Sequence, residues 1–400
     1  MAALVRRPCT SLAVALTAIG LTACGSGGGA ARSSSAGSIV APTPTNASPS
    51  GAGPVSAPLR VPRLLNPSNV YAADLAGNLS SAVRNDPALV YVPNSLSDSV
   101  QVIDQRTYRV IRRFSVATHP EHVTPSYDLR TLYVESDVGN SLRPIDPRTG
   151  RPAAHSIPVA DPYNLYFTPD GRYAITVAER LKRLDFRDPH TMALRHSLPV
   201  PQCSGVDHAD YSADGRYMYL SCEYNGDMIE VDLQTRRVIR TLRLTPRTAS
   251  PQDVKLSPDG RTLYAADQVL GGIWEINPRT FRVTGFLHTG GGAHGLYPSR
   301  SSRLMYVSNR TGGSISLVDF ASRRIVGNWK LGLGASPDMG GVSADGRTLW
   351  LSGRYSAEVY AIDTRTGLLR ARIPVEQGPH GLCVWPQPGR YSLGHTGILR

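Results

Sequence analysis

Seven times along the chain the pattern Asp/Asn-x-x-Thr/Ser returns, and its spacing constrains the possible architectures more than any other feature. The copies are Asp104-Thr107, Asp146-Thr149, Asp188-Thr191, Asp232-Thr235, Asn277-Thr280, Asp319-Ser322 and Asp363-Thr366, set 42 to 45 residues apart. A unit of that length cannot bury its own apolar face, so copies must stack on one another; a period of roughly 40–45 residues is that of a four-stranded propeller blade. The composition agrees, because 38 Gly and 31 Pro in 400 residues supply many turns and few helix interiors.

Each unit repeats one internal grammar. In Pro251 to Tyr264 an alternating strand runs into Ser257-Pro-Asp-Gly260 and out into a second strand, Leu263-Tyr264-Ala265. The same turn recurs as Thr168-Pro-Asp-Gly171, Ser212-Ala-Asp-Gly215 and Ser343-Ala-Asp-Gly346. Third strands such as Ser99 to Ile103 and Ser316 to Val318 lead into the Asp-x-x-Thr turn, whose Asp oxygen accepts a backbone N–H two residues on and opens the fourth strand. The expected fold is therefore all-β, a seven-bladed propeller of four-stranded antiparallel blades over residues 88–400.

The first unit begins at Ala88-Leu-Val-Tyr-Val92, which reads as a second strand, and a lone first strand stands at the far end, His380 to Trp385. Pairing the two closes the ring and removes edges that would otherwise invite aggregation. Residues 63–87 form a lead-in without repeat character, in which Leu79-Ser-Ser-Ala-Val83 competes for the same first-strand place.

The repeat resembles the YVTN-type β-propeller family, YncE-like, with Tyr91-Val-Pro-Asn94, Tyr133-Val-Glu-Ser136 and Tyr306-Val-Ser-Asn309 in the place of the namesake tetrapeptide. The resemblance covers roughly residues 85–396. It implies the fold and leaves activity open, since members include proteins with no known reaction. It also implies kinship with the haem-binding propeller of cytochrome-type nitrite reductases.

First strands of a propeller line its channel. Counting back from the Gly-Arg of each repeat aligns two successive rings, Glu121, Tyr163, Asp207, Gln252, His294, Asp338, His380 and then His122, Asn164, His208, Asp253, Gly295, Met339, Gly381. The candidate metal ligands are His122, His208, His294 and His380 with Asp207 and Asp338, side chains that zinc, copper or iron accept. A transition metal (Cu or Zn) or a haem-like group is one expectation. A water-filled polar funnel is the other, because adjacent strand positions face opposite ways and weaken a joint site.

The amino terminus carries an address. Arg6 and Arg7 precede the apolar Leu12 to Leu21, too short to span a bilayer, for which about 20 residues are needed, and long enough for a signal. The stretch ends in Leu21-Thr22-Ala23-Cys24, which looks like a lipobox of an actinobacterial-type lipoprotein. Residues 1–23 are expected to be a cleaved signal, Cys24 the lipid attachment, and 24–62 a Gly/Ser/Pro tether; two acyl chains would hold the protein stably on the outer face of the cell membrane. In an exported chain Cys203 and Cys222 can form a disulfide, and Cys383 reads as a small core residue. The net charge of +12 rests almost wholly on scattered arginines, so nucleic acid is not an expected partner.

No Gly-x-Ser-x-Gly elbow, P-loop, His-Glu-x-x-His, Cys-x-x-Cys or Cys-x-x-Cys-His occurs, which removes the sequence signals of common hydrolases, kinases, zinc proteases and c-type haem attachment. Three functions stay open. The first is a membrane-anchored module binding a small ligand or a protein partner; the second is a metal- or cofactor-dependent oxidoreductase; the third is a lactonase-like hydrolase.

Overall fold

A computed structural model describes residues 58–400; the expected signal, Cys24 and the expected tether up to residue 57 lie outside the described residues, while residues 58–62, expected to belong to that tether, instead begin a strap held against the blades, as by the Leu59 N–H on Gln234 Oε1. Seven antiparallel sheets follow one another, and apart from two 3₁₀ turns, Ala72–Asp74 and His395–Gly397, the regular structure is all β. No helix among the described residues is long and apolar enough to cross a membrane.

The repeat motifs act as read. Asp104 Oδ1 accepts the N–H of Arg106 and Thr107 at 2.8 and 2.9 Å, and the residue after each motif (Tyr108, Gly150, Met192, Arg236, Phe281, Arg323, Gly367) has a positive φ that lets the chain reverse into the outer strand. In the other turn Ser257 Oγ accepts from the N–H of Arg261 and Thr262 and donates to Asp259 Oδ1 at 2.6 Å. One fourth strand departs from the rest. In the second blade it is split into Arg151–Pro152 and Ile157–Pro158, both pairing with Ser141–Asp146, as expected where two prolines lie on an outer edge.

Closure runs as the lone strand requires. Cys383–Trp385 pairs antiparallel with Leu89–Tyr91, and Trp385, fully buried, donates its indole N–H to Asp86 Oδ2 at 2.9 Å. Gly381 permits a close approach to the next blade, because a Cβ there would lie 1.9 Å from the His122 ring. Leu79 to Val83 does not take the first-strand place; it forms a turn, joined to the closing region by a single bridge from Leu79 to Gly389.

Two segments outside the repeats cover the lower face, where the Ser-x-Asp-Gly turns lie. Residues 58–86 form a strap across successive blades. The Leu59 N–H donates to Gln234 Oε1, Val70 N–H to Pro258 O and Gly77 N–H to Ala344 O, while Asp74 pairs with buried Arg300. Tyr71 is buried under it, donating to Leu256 O at 2.6 Å. Residues 386–400 fold back as an irregular hairpin beneath the channel, with Leu393 N–H on Ile398 O, Phe167 N–H on Leu393 O, and buried Arg400 3.2 Å from Asp210. Gly394, at φ 123°, passes so close to the third blade that a Cβ would sit 2.4 Å from Leu165 O.

Candidate functional site in the central channel

Five of the seven first strands break register just where the two aligned rings fall. The jumps lie between Pro120 and His122, Val206 and Ala209, Pro251 and Val254, Ala293 and Leu296, and Pro337 and Gly340. These are β-bulges, which re-aim side chains and cancel the strict alternation of a flat strand. The freed N–H groups are caught by second-strand hydroxyls: His208 N–H by Ser221 Oγ, Gly295 N–H by Ser308 Oγ and Met339 N–H by Ser352 Oγ. Residues of both rings therefore meet around one axis. Ring centroids stand 4.9 Å apart for His122 and His380, 5.8 Å for His208 and His294, and 5.7 Å for His294 and His380.

The six candidate ligands divide into two groups. His294 and His380 belong to Asp338: His380 Nδ1 lies 2.6 Å from Oδ2, His294 Nδ1 3.2 Å from Oδ1, and Arg310 Nη2 2.7 Å from Oδ1. Burial would raise the Asp338 carboxyl, but Arg310 and His294 outweigh it and hold the group below the usual carboxylate range. His122 and His208 form the other group, deeper in the channel, with His395 from the hairpin; one ring nitrogen of each lies within 4.8 Å of the others. Asp207 stands against His208, Oδ1 to Nδ1 2.8 Å, off the line of a hydrogen bond. Burial pushes all three imidazoles down, His208 to about 4, and Asp207 is raised well above its ordinary value by burial and then by Glu223 and Asp253.

Above the histidines the channel opens into a funnel of about 220 Å³ lined by four carboxylates, Glu121, Asp137, Glu179 and Glu223, and two arginines, Arg310 and Arg354. Its rim has a simple origin, because the residue following the second strand recurs there: Asp137, Glu179, Glu223, Arg310 and Arg354 line the funnel, and Ser95 and Gln268, at the same position of their blades, are bonded to Arg354 and Glu223. The arginines are already matched, Arg310 to Asp338 and Arg354 to Glu121 through two contacts of 3.2 Å. Across from them, Glu179 and Glu223 have no arginine or lysine paired with them among the described residues. Glu179 is pushed up to about 8 by burial, then by Asp207, Glu223 and Asp161, although Tyr224 hydrogen-bonds it. His119, at the edge, is raised by its hydrogen bond to Asp137 at 2.8 Å.

Sequence reasoning missed His395, which stands outside every repeat, and the rim residues, which do carry a signal in their fixed position after the second strand. Cys203 and Cys222 are bonded to each other, and Cys383 is buried in the closing strand with its thiol pushed up by burial. A wider cleft of about 680 Å³ between the fourth and fifth blades, bordered by Tyr219, Glu230 and Arg240, brings no comparable set of ionisable groups together.

Comparison with known proteins agrees with this architecture. Among solved structures, a functionally unknown protein from Desulfotomaculum acetoxidans superposes with a TM-score of 0.62 at 14% identity, covering 74% of this chain and 99% of that one. A 6-phosphogluconolactonase-described protein from Bacteroides uniformis gives 0.61 at 17%, with 74% and 99% covered. The dihydro-haem d1 dehydrogenase NirN gives 0.57 at 16%, with 81% and 82% covered. At such identities the likeness is one of fold. No characterised protein matched by sequence. The family model for the YncE-like β-propeller matches residues 61–388, from the strap through the closing strand, and the chain belongs to that family.

Proposed function

We propose that this protein is a non-enzymatic binding module, held on the outer face of the cell membrane through lipid on Cys24, that takes a small cationic solute into its funnel. The observation that carries the reading is the unmatched acidic wall. Among the described residues no arginine or lysine forms an ion pair with Glu179 or Glu223, which line the funnel, and burial, with Asp207 and Glu223 close by, pushes Glu179 up to about 8. A cation placed there would restore their ionisation and gain the attraction that the wall now lacks. The exposed ring of Tyr224 and that of Tyr163 add aromatic surface suited to an ammonium group.

Size narrows the class. A drug-sized ligand takes roughly 300–1,000 Å³, so a funnel of 220 Å³ admits a small amine or hydrated metal ion and excludes a planar macrocycle of the haem type. The haem-like group suggested by kinship with nitrite reductase propellers does not fit this channel. The 17% likeness to a lactonase-described protein supports no hydrolase reading. The test is thermal denaturation of the wild type and of a Glu179→Gln/Glu223→Gln double variant with magnesium, calcium, ethanolamine, choline and putrescine. At least one of these cations should raise the wild-type midpoint and leave the double variant unmoved. Equal shifts in both proteins, or none in the wild type, would overturn the reading.

A further inference from the structure

Below the funnel, His122, His208 and His395 come from three separate parts of the chain: the first strand of the second blade, that of the fourth, and the carboxy-terminal hairpin. Their rings touch, with centroids 4.0 Å apart for His122 and His395, 4.9 Å for His208 and His395, and 5.8 Å for His122 and His208. All three are at least 98% buried. Yet His122 Nε2, His395 Nε2 and both ring nitrogens of His208 have no hydrogen-bond partner. A buried polar atom left unmatched is costly, so three such rings in contact call for a common partner.

We propose that these three imidazoles are a binding site for one divalent transition cation of the imidazole-preferring kind, copper(II) or zinc(II), with the hairpin supplying the third ligand. The surroundings prepare the ligands. His122 Nδ1 lies 2.7 Å from Tyr163 O, an acceptor only, so Nδ1 carries the proton and Nε2 keeps its lone pair. Three nitrogens mutually within 4.8 Å lie about 2.8 Å or less from a common point; imidazole binds zinc at about 2.0–2.1 Å, so each ring needs to move inward by less than about 1 Å. Calcium and magnesium want oxygen ligands that this pocket does not supply. A fourth position remains toward the funnel, where the His380 ring stands 4.9 Å from that of His122, and a water or a funnel solute would complete a tetrahedral set.

The ion would fasten residues 386–400 to the second and fourth blades and fix the floor of the funnel. His122, His208 and His395 take no part in the cationic-solute reading, and His395 lies beyond the residues matched by the family model.

The experiment uses the full chain, purified without a histidine tag and stripped with chelator, titrated calorimetrically with CuCl₂ and with ZnCl₂. Wild type should take one ion per chain, and His395→Gln and His122→Gln should each weaken it by about 100-fold or more. The exposed-histidine variant His155→Ala/His190→Ala should bind as wild type does. Undiminished binding by His395→Gln would overturn the site. So that a poorly folded variant cannot decide the matter, the wild type with one equivalent of copper(II) is read by electron paramagnetic resonance. Coupling to three imidazole nitrogens supports the proposal, and coupling to two or fewer overturns it.

Discussion

Replacing Trp385 by alanine probes the closing strand where it does most. The side chain is fully buried among Val83, Leu89, Tyr91 and Leu399, and its indole N–H is bonded to Asp86. Truncating a buried aromatic side chain of this size costs about 3–5 kcal/mol, and the lost hydrogen bond contributes about 1 kcal/mol of that order. The unfolding entropy of about 2 cal/mol/K per residue, over the roughly 340 residues of the folded body, converts 4 kcal/mol into a melting-point drop of about 6 °C. Trp385→Phe keeps most of the volume and should lose about 2 °C. Calorimetry reads the midpoint, and hydrogen exchange locates the weakness. Faster exchange should appear first at Leu89–Asn94 and Cys383–Trp385, the two strands that close the ring. An alanine variant melting within 1 °C of wild type, with exchange at Leu89–Asn94 unchanged, would refute closure by this strand.

Three further outcomes are expected. Glu179 has a folded-state pKa of about 8 against an ordinary 4.5, so the native state binds more protons than the unfolded one between those values and stability falls as pH rises through that window. Glu179→Gln should flatten this slope in denaturant titrations at pH 5, 7 and 9, and a slope equal to wild type would count against the buried acid wall. Removing the disulfide by Cys203→Ser/Cys222→Ser opens a loop of 19 residues and should cost about 3 kcal/mol in denaturant unfolding; a midpoint equal to that of the oxidised wild type would show that the bond adds nothing. Cys24→Ser should move the protein from the detergent phase to the aqueous phase, and unchanged partitioning would exclude lipid anchoring.

The blades were legible because repetition multiplies a weak local signal seven times. A single Asp-x-x-Thr turn means little, whereas seven at one spacing fix strand count, blade count and the missing first strand that Cys383–Trp385 supplies. The two histidine rings were legible by alignment. Their meeting was not, since alternation along a regular strand sends neighbours apart and the bulges at Asp207-His208, His294-Gly295 and Asp338-Met339 leave no composition cue. The strap and the hairpin lack periodicity altogether. Their placement depends on long-range contacts such as Asp74 with Arg300 and Arg400 with Asp210, and His395 stayed invisible with them. Arg310 and Arg354 carry no motif that sets them apart from the other arginines, although their place after a second strand puts them on the rim opposite Asp137, Glu179 and Glu223.

The acidic wall binding a cation is tested most directly by counting protons. Glu179, near 8 and faced by Asp207, Glu223, Asp161 and Tyr224, is about 90% protonated at pH 7 and must ionise when a cation settles beside it. Calorimetric titration of the wild type with the stabilising cation, repeated in buffers of different ionisation enthalpy, measures that release. The account predicts close to one proton released per cation at pH 7, vanishing by about pH 9.5 and absent from Glu179→Gln. A binding enthalpy independent of the buffer at pH 7, or the same release from the Glu179→Gln variant, would contradict it.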